Sequence, residues 1–357
     1  MPSKSKKRKP RVISLFTGAG GLDIGLEQAG FEIGVALDFD HDSCETLRAN
    51  FKHTPIIEGD VTKITTEEIL EKGGFGSKGV DLLVGGPPCQ PFSKSAFWNG
   101  SKGLKDSRAI TLHEYVRILR EAAPKAFLLE NVFGLAYKNN EDAFSFLQEQ
   151  FGKLGYEINW KVVNTASYGI PQIRQRLIIL GSRVGRLEFP KPTHHDPTET
   201  SEKPTLFKNS LPPYVTAKEA FRGLSYNWRD IPPELVVGGK WGHLLEDIPP
   251  GDNYLHLTAK RGHKKPIFEW RSRYWSFLLK LSPNKPSWTI QAQPGPYVGP
   301  FHWENRRLTL EEKKRIQTFP DKYKFVGKRG SVQKQIGNAV PSLLGKVLGR
   351  SIKEQIF

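Results

Sequence analysis

Short runs of apolar and β-branched residues alternate with helix-like stretches along the first half of the chain. The runs are Val12–Phe16, Ile33–Leu37, Ile56–Ile57, Val80–Val84, Ala126–Leu129, Ile158–Val163 and Leu177–Leu180, and the helix-like stretches are Leu22–Ala29, Asp42–Asn50 and Leu112–Glu121. This alternation is typical of βαβ units and predicts an α/β fold with a doubly wound, mostly parallel sheet. Because ligands of such sheets bind beyond the carboxyl ends of the strands, polar residues that follow these runs are the first candidates for function.

The pattern changes near residue 186, where Pro, Gly, His and Trp become frequent and the strand–helix alternation stops. We expect a second, smaller, loop-rich domain there. Helical periodicity returns at Leu308–Thr318 and Pro341–Gln355. The predicted segments are a basic N-terminal arm (1–11), the main α/β domain (12–185), the loop-rich domain (186–303), a hinge region with a small-domain helix (304–330) and a C-terminal segment that returns to the main domain (331–357).

The positive charge of the chain is unevenly placed. The formal net charge is +16, from 53 Lys and Arg against 37 Asp and Glu, and residues 256–290 hold eight Lys or Arg against one acid, Glu269. A basic tail and a basic C-terminal half favour a polyanionic partner. The alternative is an ordinary basic surface with a solvated N-terminal arm.

Several classes of protein are disfavoured. No apolar run approaches the roughly 20 residues that cross a bilayer, and no apolar segment follows the N-terminal charges as in a secretory signal. Cys44 and Cys89 are too few for a disulfide framework or a cysteine-rich zinc site. We expect a protein of the reducing cytoplasm that uses no metal.

The glycine-rich segment Phe16–Gly21 follows the first predicted strand. Glycines there allow a tight turn and leave space for a ligand. Asp38 ends the second strand, where an acid can accept hydrogen bonds from ribose hydroxyls, and Asp60 follows the third, where it can contact an adenine amino group. The spacing differs from G-x-G-x-x-G, which favours a nucleoside ligand without a diphosphate. The alternative is the glycine-rich turn of any doubly wound protein.

Three further groups follow later strands. Cys89 lies among prolines in Gly85–Ser93, a rigid setting that suits a nucleophile better than an inert buried thiol. Glu130 follows Ala126–Leu129, as a proton donor to a ring nitrogen or as a simple capping group. Arg174 and Arg176 fall on one side of an extended segment, where they can hold a base carbonyl or a phosphate, or remain surface residues.

Together these motifs resemble the DNA (cytosine-5) methyltransferases of bacterial restriction-modification type. The matching blocks, in the order of that family, are FTGAGG, ALDFD, GDVT, GGPPCQPFS, KDSR, ENV, YGIPQIRQR, RRLTLEEKKRIQTFPD and QIGNAVP. They cover nearly the whole chain outside residues 1–10 and about 186–300. The fold implied is Rossmann-like, with residues 12–185 catalytic and cofactor-binding and 186–303 as target-recognition domain.

The resemblance implies S-adenosylmethionine as cofactor. Asp38 would bind its ribose, Phe39 would pack on its adenine and Asp60 would contact the adenine amino group. The remaining cofactor residues implied are Phe16, Gly18, Ala19, Gly20, Gly21, Val61, Pro88, Leu112 and Asn338.

The same resemblance implies the reaction. Cys89 would attack C6 of a cytosine, Glu130 would protonate N3, and Arg174 and Arg176 would fix the base. The cytosine must be flipped out of the duplex, because C5 and C6 cannot be reached in the stack. The expected result is 5-methylcytosine in one short DNA sequence, which protects host DNA.

Duplex DNA is the expected partner, with a cognate restriction endonuclease acting on the same site, and the enzyme is expected to be a monomer. The residues expected to contact DNA are Ser93, Lys94, Arg108, Arg271, Arg273 and Arg306. The segments expected to choose bases, or alternatively to pack the small domain, are Trp270–Trp275, Ser287–Gln293 and Pro296–Trp303.

Departures from the family pattern are few. Asp38 stands where many members have Glu, and Glu311 and Lys313–Lys314 replace residues that are commonly basic and small. The nearest alternative is the same chemistry on tRNA, which the long, Trp-rich 186–303 stretch disfavours. The glycine spacing disfavours a nicotinamide-dependent oxidoreductase. The intact Cys89 disfavours an inactive DNA-binding relative, and the PPCQ block disfavours an amino-methylating DNA enzyme.

Overall fold

A seven-stranded sheet forms the centre of the larger part of the molecule. The computed structural model describes residues 8–88, 110–136, 141–198, 211–226 and 229–357. The strands are β1 (Arg11–Leu15), β2 (Glu32–Asp38), β3 (Ile56–Glu58), β4 (Leu82–Gly85), β5 (Ala126–Val132), β6 (Glu157–Asn164) and β8 (Gln175–Ser182), in the order β3-β2-β1-β4-β5-β8-β6. The first five are mutually parallel, whereas β8 runs antiparallel to both β5 and β6.

Helices cover both faces of this sheet. Those of the larger part are α1 (Gly21–Gln28), α2 (His41–Asn50), α3 (Thr66–Lys72), α4 (Ile110–Ala122) and α5 (Glu141–Lys153). Further along the chain follow α6 (Ala217–Ala220), α7 (Leu310–Ile316), α8 (Arg329–Asn338) and α9 (Ser342–Ile356). Strand residues alternate between two apolar clusters: Val12 and Leu82 pack with α1 and α9, and Ile13 and Leu83 pack with α4. No helix in the described part of the chain is long and apolar enough to span a membrane.

The last helix returns to the first. Gly25 of α1 lies against the backbone of α9, where a Cβ atom would overlap the carbonyl oxygen of Ser342 and the amide nitrogen of Lys346. Gly345 of α9 approaches Leu22 of α1 in the same way. Glycines on both helices therefore let the two backbones meet closely, which joins the C-terminal segment to the glycine-rich turn after β1.

The region after β8 has its own small core and little regular structure. Single turns of 3-10 helix, such as Gly242–Leu245 and Tyr254–Leu257, surround an apolar cluster that includes Leu245, Phe268 and Phe301. Strand β9 (Ser287–Trp288) pairs in parallel with β7 (Gln172–Ile173), and this pair ties the region to the segment just before β8. This region therefore contains mostly loops and short turns.

The sheet is mostly parallel and Rossmann-like, as predicted, and every predicted strand exists. The boundaries differ by one to three residues; for example, β5 extends from Ala126 to Val132, so that Glu130 lies within it. Four helices, α3, α5, α6 and α8, were not predicted: α6 is a single turn, and the apolar positions of the other three are interrupted by polar and charged residues. The alternation of strands and helices also gave no indication that β8 runs antiparallel.

The close approach of α1 and α9 generates a stability prediction. Gly25→Ala forces the two helix backbones apart and should lower the free energy of unfolding by about 1–3 kcal/mol, as overpacking does elsewhere. Chemical denaturation measures the change. Gly152→Ala in α5 is the matched control, because open space surrounds Gly152, and it should stabilise the protein by up to about 1 kcal/mol. Equal effects of the two substitutions would contradict the assigned contact.

Candidate active site

A cavity of about 430 Å³ lies at the carboxyl ends of the parallel strands. Phe16 follows β1, Phe39 follows β2 and Gly86 follows β4, and all three line it. Glu130 of β5 and Asn338 of α8 are also part of the wall. A larger cavity of about 710 Å³ lies between residues 218–231 and 302–312. We assign the chemistry to the smaller one, because open α/β sheets bind ligands at this edge.

The turn after β1 is fixed to the end of β2. The backbone amide of Gly18 donates to Oδ2 of Asp38 at 2.7 Å, and that of Asp40 donates to Oδ1 at 2.9 Å. Burial raises the pKa of Asp38, and these amides oppose the shift. Each carboxylate oxygen keeps a lone pair for a ligand hydroxyl. Phe39 stands beside it and is 65% exposed, so a planar ligand could cover its ring.

The predicted cofactor residues divide into two groups. The cavity wall contains Phe16, Gly18, Asp38, Phe39, Pro88 and Asn338. It does not contain Ala19, Gly20, Gly21, Asp60, Val61 or Leu112. Leu112 and Val61 are buried in an apolar cluster, and Asp60 is exposed and accepts hydrogen bonds from Thr62. The cofactor contacts assigned to this second group thus remain predictions from the sequence.

Asp23 is a cavity residue that the sequence analysis missed. It lies in the first turn of α1, is 1% exposed and lines the cavity. Neither carboxylate oxygen has a hydrogen-bond partner of normal geometry among the described residues. Burial raises the pKa of Asp23 to about 7, and the nearby Ser14 hydroxyl offsets only part of that effect. The sequence signal was an acid between Leu22 and Ile24 in an otherwise apolar and glycine-rich turn.

Glu130 and Arg176 form an ion pair inside the cavity. Nε of Arg176 lies 2.8 Å from Oε1 of Glu130, and both side chains are nearly buried, at 13% and 11% exposure. Gly86 leaves room for the other oxygen of Glu130, because a Cβ at residue 86 would lie only 2.9 Å from it. A buried pair of this kind holds the carboxyl group in one orientation.

Arg174 lies in the same cavity with spare donors. Nη2 donates to the carbonyl of Gly337 at 2.9 Å, whereas Nε and Nη1 have no partner among the described residues although the side chain is 2% exposed. Burial, followed by the neighbouring Arg176, lowers the pKa of Arg174 well below its usual value. An uncompensated buried guanidinium is costly, so a bound acceptor would stabilise it.

The stem of the loop that leads to Cys89 is anchored beside these groups. Asn131 donates to the carbonyl of Pro87 at 3.3 Å, and Thr111 donates to that of Pro88 at 3.2 Å. Cys89 itself, with Ser93, Lys94 and Arg108, lies outside the described residues. The last residue described before it, Pro88, is on the cavity wall.

Cations and aromatic rings are exposed together in the loop-rich region. Arg271 and Lys260 both lie over the ring of Trp270, and Tyr274 is 83% exposed. Arg273 is exposed as well. Such a surface suits contacts with phosphates and base edges.

The expectation that Arg306 contacts DNA is wrong. Its side chain is 2% exposed, and two guanidinium nitrogens bind the carboxylate of Glu312 at 2.7 and 2.9 Å. Glu312 also accepts from the amide of Thr309 at the start of α7. Arg306 thus holds the carboxylate that caps the start of α7. The arginine-rich sequence gave no sign of this buried ion pair.

The fold and the cavity at its strand ends define a Rossmann-like methyltransferase. A sequence model of the C-5 cytosine-specific DNA methylases matches residues 10–354. Type II methyltransferase M.SacI of Streptomyces achromogenes is 44% identical, over 97% of this chain and 93% of that protein. Type II methyltransferase M.NgoFVII of Neisseria gonorrhoeae is 35% identical, over 94% and 84%.

Solved structures share the fold. A chain described as a DNA modification methyltransferase encoded within an E. coli prophage has a TM-score of 0.65 at 24% identity, over 97% of this chain and 99% of that one. Spodoptera frugiperda DNMT2 has a TM-score of 0.63 at 15% identity, over 97% and 100%. The chain therefore belongs to the C-5 cytosine-specific DNA methylase family and is a DNA cytosine-5 methyltransferase, with relatives of the restriction-modification type.

The buried carboxyl of Asp23 generates a pH-dependent stability prediction. A carboxyl whose pKa is about 7 in the folded chain and 3.8 otherwise destabilises the fold increasingly as pH rises from 4 to 7. Asp23→Asn cannot ionise, so its advantage over the wild type in denaturant midpoint should grow with pH. Between pH 5.5 and 8 the growth should be about 2 kcal/mol. A difference between the two proteins that does not vary with pH would contradict the assigned environment.

Proposed function

We propose that this chain transfers the methyl group of S-adenosylmethionine to C5 of a cytosine flipped out of duplex DNA, through a covalent bond between Cys89 and C6. The observation that carries the proposal is the meeting of Glu130, Arg174 and Arg176 in one cavity, beside the loop stem that leads directly to Cys89. A thiolate nucleophile, a proton-carrying carboxyl and oriented cations are the groups that addition to a cytosine ring requires.

The proposed steps balance in protons and electrons. The Cys89 thiolate adds to C6 while Glu130 passes a proton to N3, which leaves C5 as the nucleophilic carbon. C5 takes the methyl group as the S–CH3 bond of the cofactor breaks, so that S-adenosylhomocysteine would be the leaving group, and the proton on C5 then passes to a solvent base. Expulsion of the Cys89 thiolate and return of the N3 proton to Glu130 restore the ring. The free donors of Arg174 would hold the base carbonyl during these steps.

The cavity fits S-adenosylmethionine chemically. The cofactor, when bound, supplies an electrophilic methyl group on a positively charged sulfur. Asp38 offers acceptors for the ribose hydroxyls, and the exposed ring of Phe39 offers a face for adenine. The unpartnered carboxyl of Asp23 would accept the ammonium group of the methionine part. A ligand cation there would compensate the buried carboxylate.

Duplex DNA is the proposed substrate, recognised through the exposed cations and rings around Trp270. We further propose that methylation protects host DNA against a restriction endonuclease acting on the same sequence, and that the enzyme acts as a monomer. The proposal is tested by transfer of labelled methyl from S-adenosylmethionine to unmethylated genomic DNA and, in parallel, to tRNA. Bisulfite sequencing should show 5-methylcytosine in one short context, whereas label in tRNA alone would contradict the DNA assignment.

Removal of the Cys89 thiol should abolish turnover. Cys89→Ser should lower kcat by a factor of at least about 10³ while DNA binding is retained, because a serine hydroxyl is a far weaker nucleophile. Wild-type enzyme should also remain covalently attached to a duplex with 5-fluorocytosine at the methylated position, and the variant should not.

Cys44→Ala is the control, because Cys44 is fully buried in α2 and outside the cavity wall. It should keep most of the turnover despite some loss of stability. Wild-type turnover by Cys89→Ser would overturn the mechanism.

A further inference from the structure

Three cations line a further pocket, about 630 Å³ in volume, between the loop-rich region and α8. They are Arg307, Lys313 of α7 and Arg329 at the start of α8, and we call this site the basic pocket. The segments 290–294 and 298–301, with Leu308, Gly330 and Gln333, form the rest of its wall. No Asp or Glu lines it among the described residues.

No acidic side chain among the described residues pairs with the three cations. Nη2 of Arg307 donates to the carbonyl of Pro296 at 3.1 Å, and Nη1 of Arg329 donates to that of Glu234, so both bind neutral acceptors. The side chain of Lys313 makes neither a hydrogen bond nor an ion pair with the described residues, and only its backbone is bonded, within α7. Its pKa is lowered to about 8, by burial first and then by Arg329 and Arg307. Like charges held together in this way are relieved by a bound anion.

The backbone of α8 adds to the positive field. The helix begins at Arg329, its first turn contains no acid, and the side chain of the preceding Lys328 makes no capping hydrogen bond in the described structure. Gly330 lies on the pocket wall with open space around it. A ten-residue helix with uncapped amide groups at this end carries partial positive charge there.

The same helix connects the basic pocket to the candidate active site. Its last turn supplies Asn338 and the carbonyl of Gly337 that Arg174 binds. The distance along ten residues of helix is about 15 Å. Gln333 also donates to the carbonyl of Gln291 at 2.6 Å, which ties the pocket to the segment after β9. An anion in the basic pocket would therefore lie about four nucleotides along the DNA helix axis from the reacting base.

We propose that the basic pocket binds a backbone phosphate of the DNA substrate near the flipped cytosine. The inference rests on the proposed function in that the polyanion is DNA. Arginine guanidinium groups bind phosphate oxygens through paired donors and lysine binds them as a point charge, so the set suits a phosphodiester. Bound phosphate also holds α8, and with it the Gly337 carbonyl that positions Arg174.

The test is the salt dependence of DNA affinity. Binding of labelled fragments of unmethylated genomic DNA is measured by filter retention over a range of NaCl concentrations, with S-adenosylhomocysteine present. Lys313→Gln should lower the magnitude of the log–log slope by about 0.9, the value for one phosphate contact, and weaken binding several-fold at 0.1 M salt. Arg329→Gln, at an exposed position, should act in the same direction.

Lys153→Gln is the matched control for net charge. Lys153 ends α5, is 64% exposed and precedes β6. It therefore lies near the amino ends of the parallel strands, whereas the cavity lies at their carboxyl ends. This variant should leave slope and affinity unchanged. The thermal midpoint of free Lys313→Gln should equal or exceed that of the wild type, because the substitution relieves repulsion, whereas a purely structural lysine would lower it.

Three results would overturn the proposal: a wild-type slope in Lys313→Gln, equal losses in Lys313→Gln and Lys153→Gln, or saturation by millimolar inorganic phosphate without any effect on DNA affinity. The last would identify a site for a free phosphate compound. Failure of the proposed function can be distinguished from failure of this inference. If the wild type binds DNA but transfers no methyl group, the binding comparison of Lys313→Gln with Lys153→Gln still tests the basic pocket.

Discussion

Two buried ionisable side chains with unsatisfied polar atoms lie in the candidate active site of this methyltransferase. Asp23 and Arg174 line one cavity, each almost inaccessible, and each keeps polar atoms that no described residue satisfies. Isolated buried charges cost several kcal/mol, so a fold retains them where ligands complete them. The carboxyl of Asp23 can bind a cationic group, and the guanidinium of Arg174 can donate to a carbonyl. Together they fit a cationic nucleoside cofactor and a pyrimidine ring. The Glu130–Arg176 pair between strands β5 and β8 keeps the second half of the site rigid.

The rest of the architecture serves to bring distant segments to that cavity. The glycine contacts of α1 with α9 place the end of α8 beside the turn after β1, although more than 300 residues separate them. The antiparallel strand β8 carries Arg176 opposite Val132 of β5, next to Glu130. Pairing of β7 with β9 attaches the loop-rich region to the segment just before β8. The cavity and the loop-rich region are thus connected through short backbone contacts.

Much of this arrangement was predictable from the sequence, because strand-end residues of parallel sheets converge whatever the loops do. Glu130 and Asp38, singled out on that ground, line the cavity, as does Phe39, which the family resemblance alone had indicated. Burial was harder to predict. Arg306 lies in an arginine-rich segment that suggests DNA binding. It is nevertheless buried, because it pairs with Glu312 six residues later. Asp23 looks like an ordinary acid of a first helical turn, and only the packed structure shows that its carboxyl is buried without a hydrogen bond of normal geometry from the described residues. Pockets built from several segments, such as the basic pocket, leave no local pattern at all.

The most direct test of the account is titration of the Asp23 carboxyl by carbon-detected NMR, with and without S-adenosylhomocysteine. The free protein should show a carboxyl that titrates near pH 7 and is absent from Asp23→Asn. Addition of the ligand should lower that pKa markedly, because its ammonium group favours the ionised form. A carboxyl of ordinary pKa in the free protein, or one unaffected by the ligand, would contradict the claim that an uncompensated buried charge organises this site.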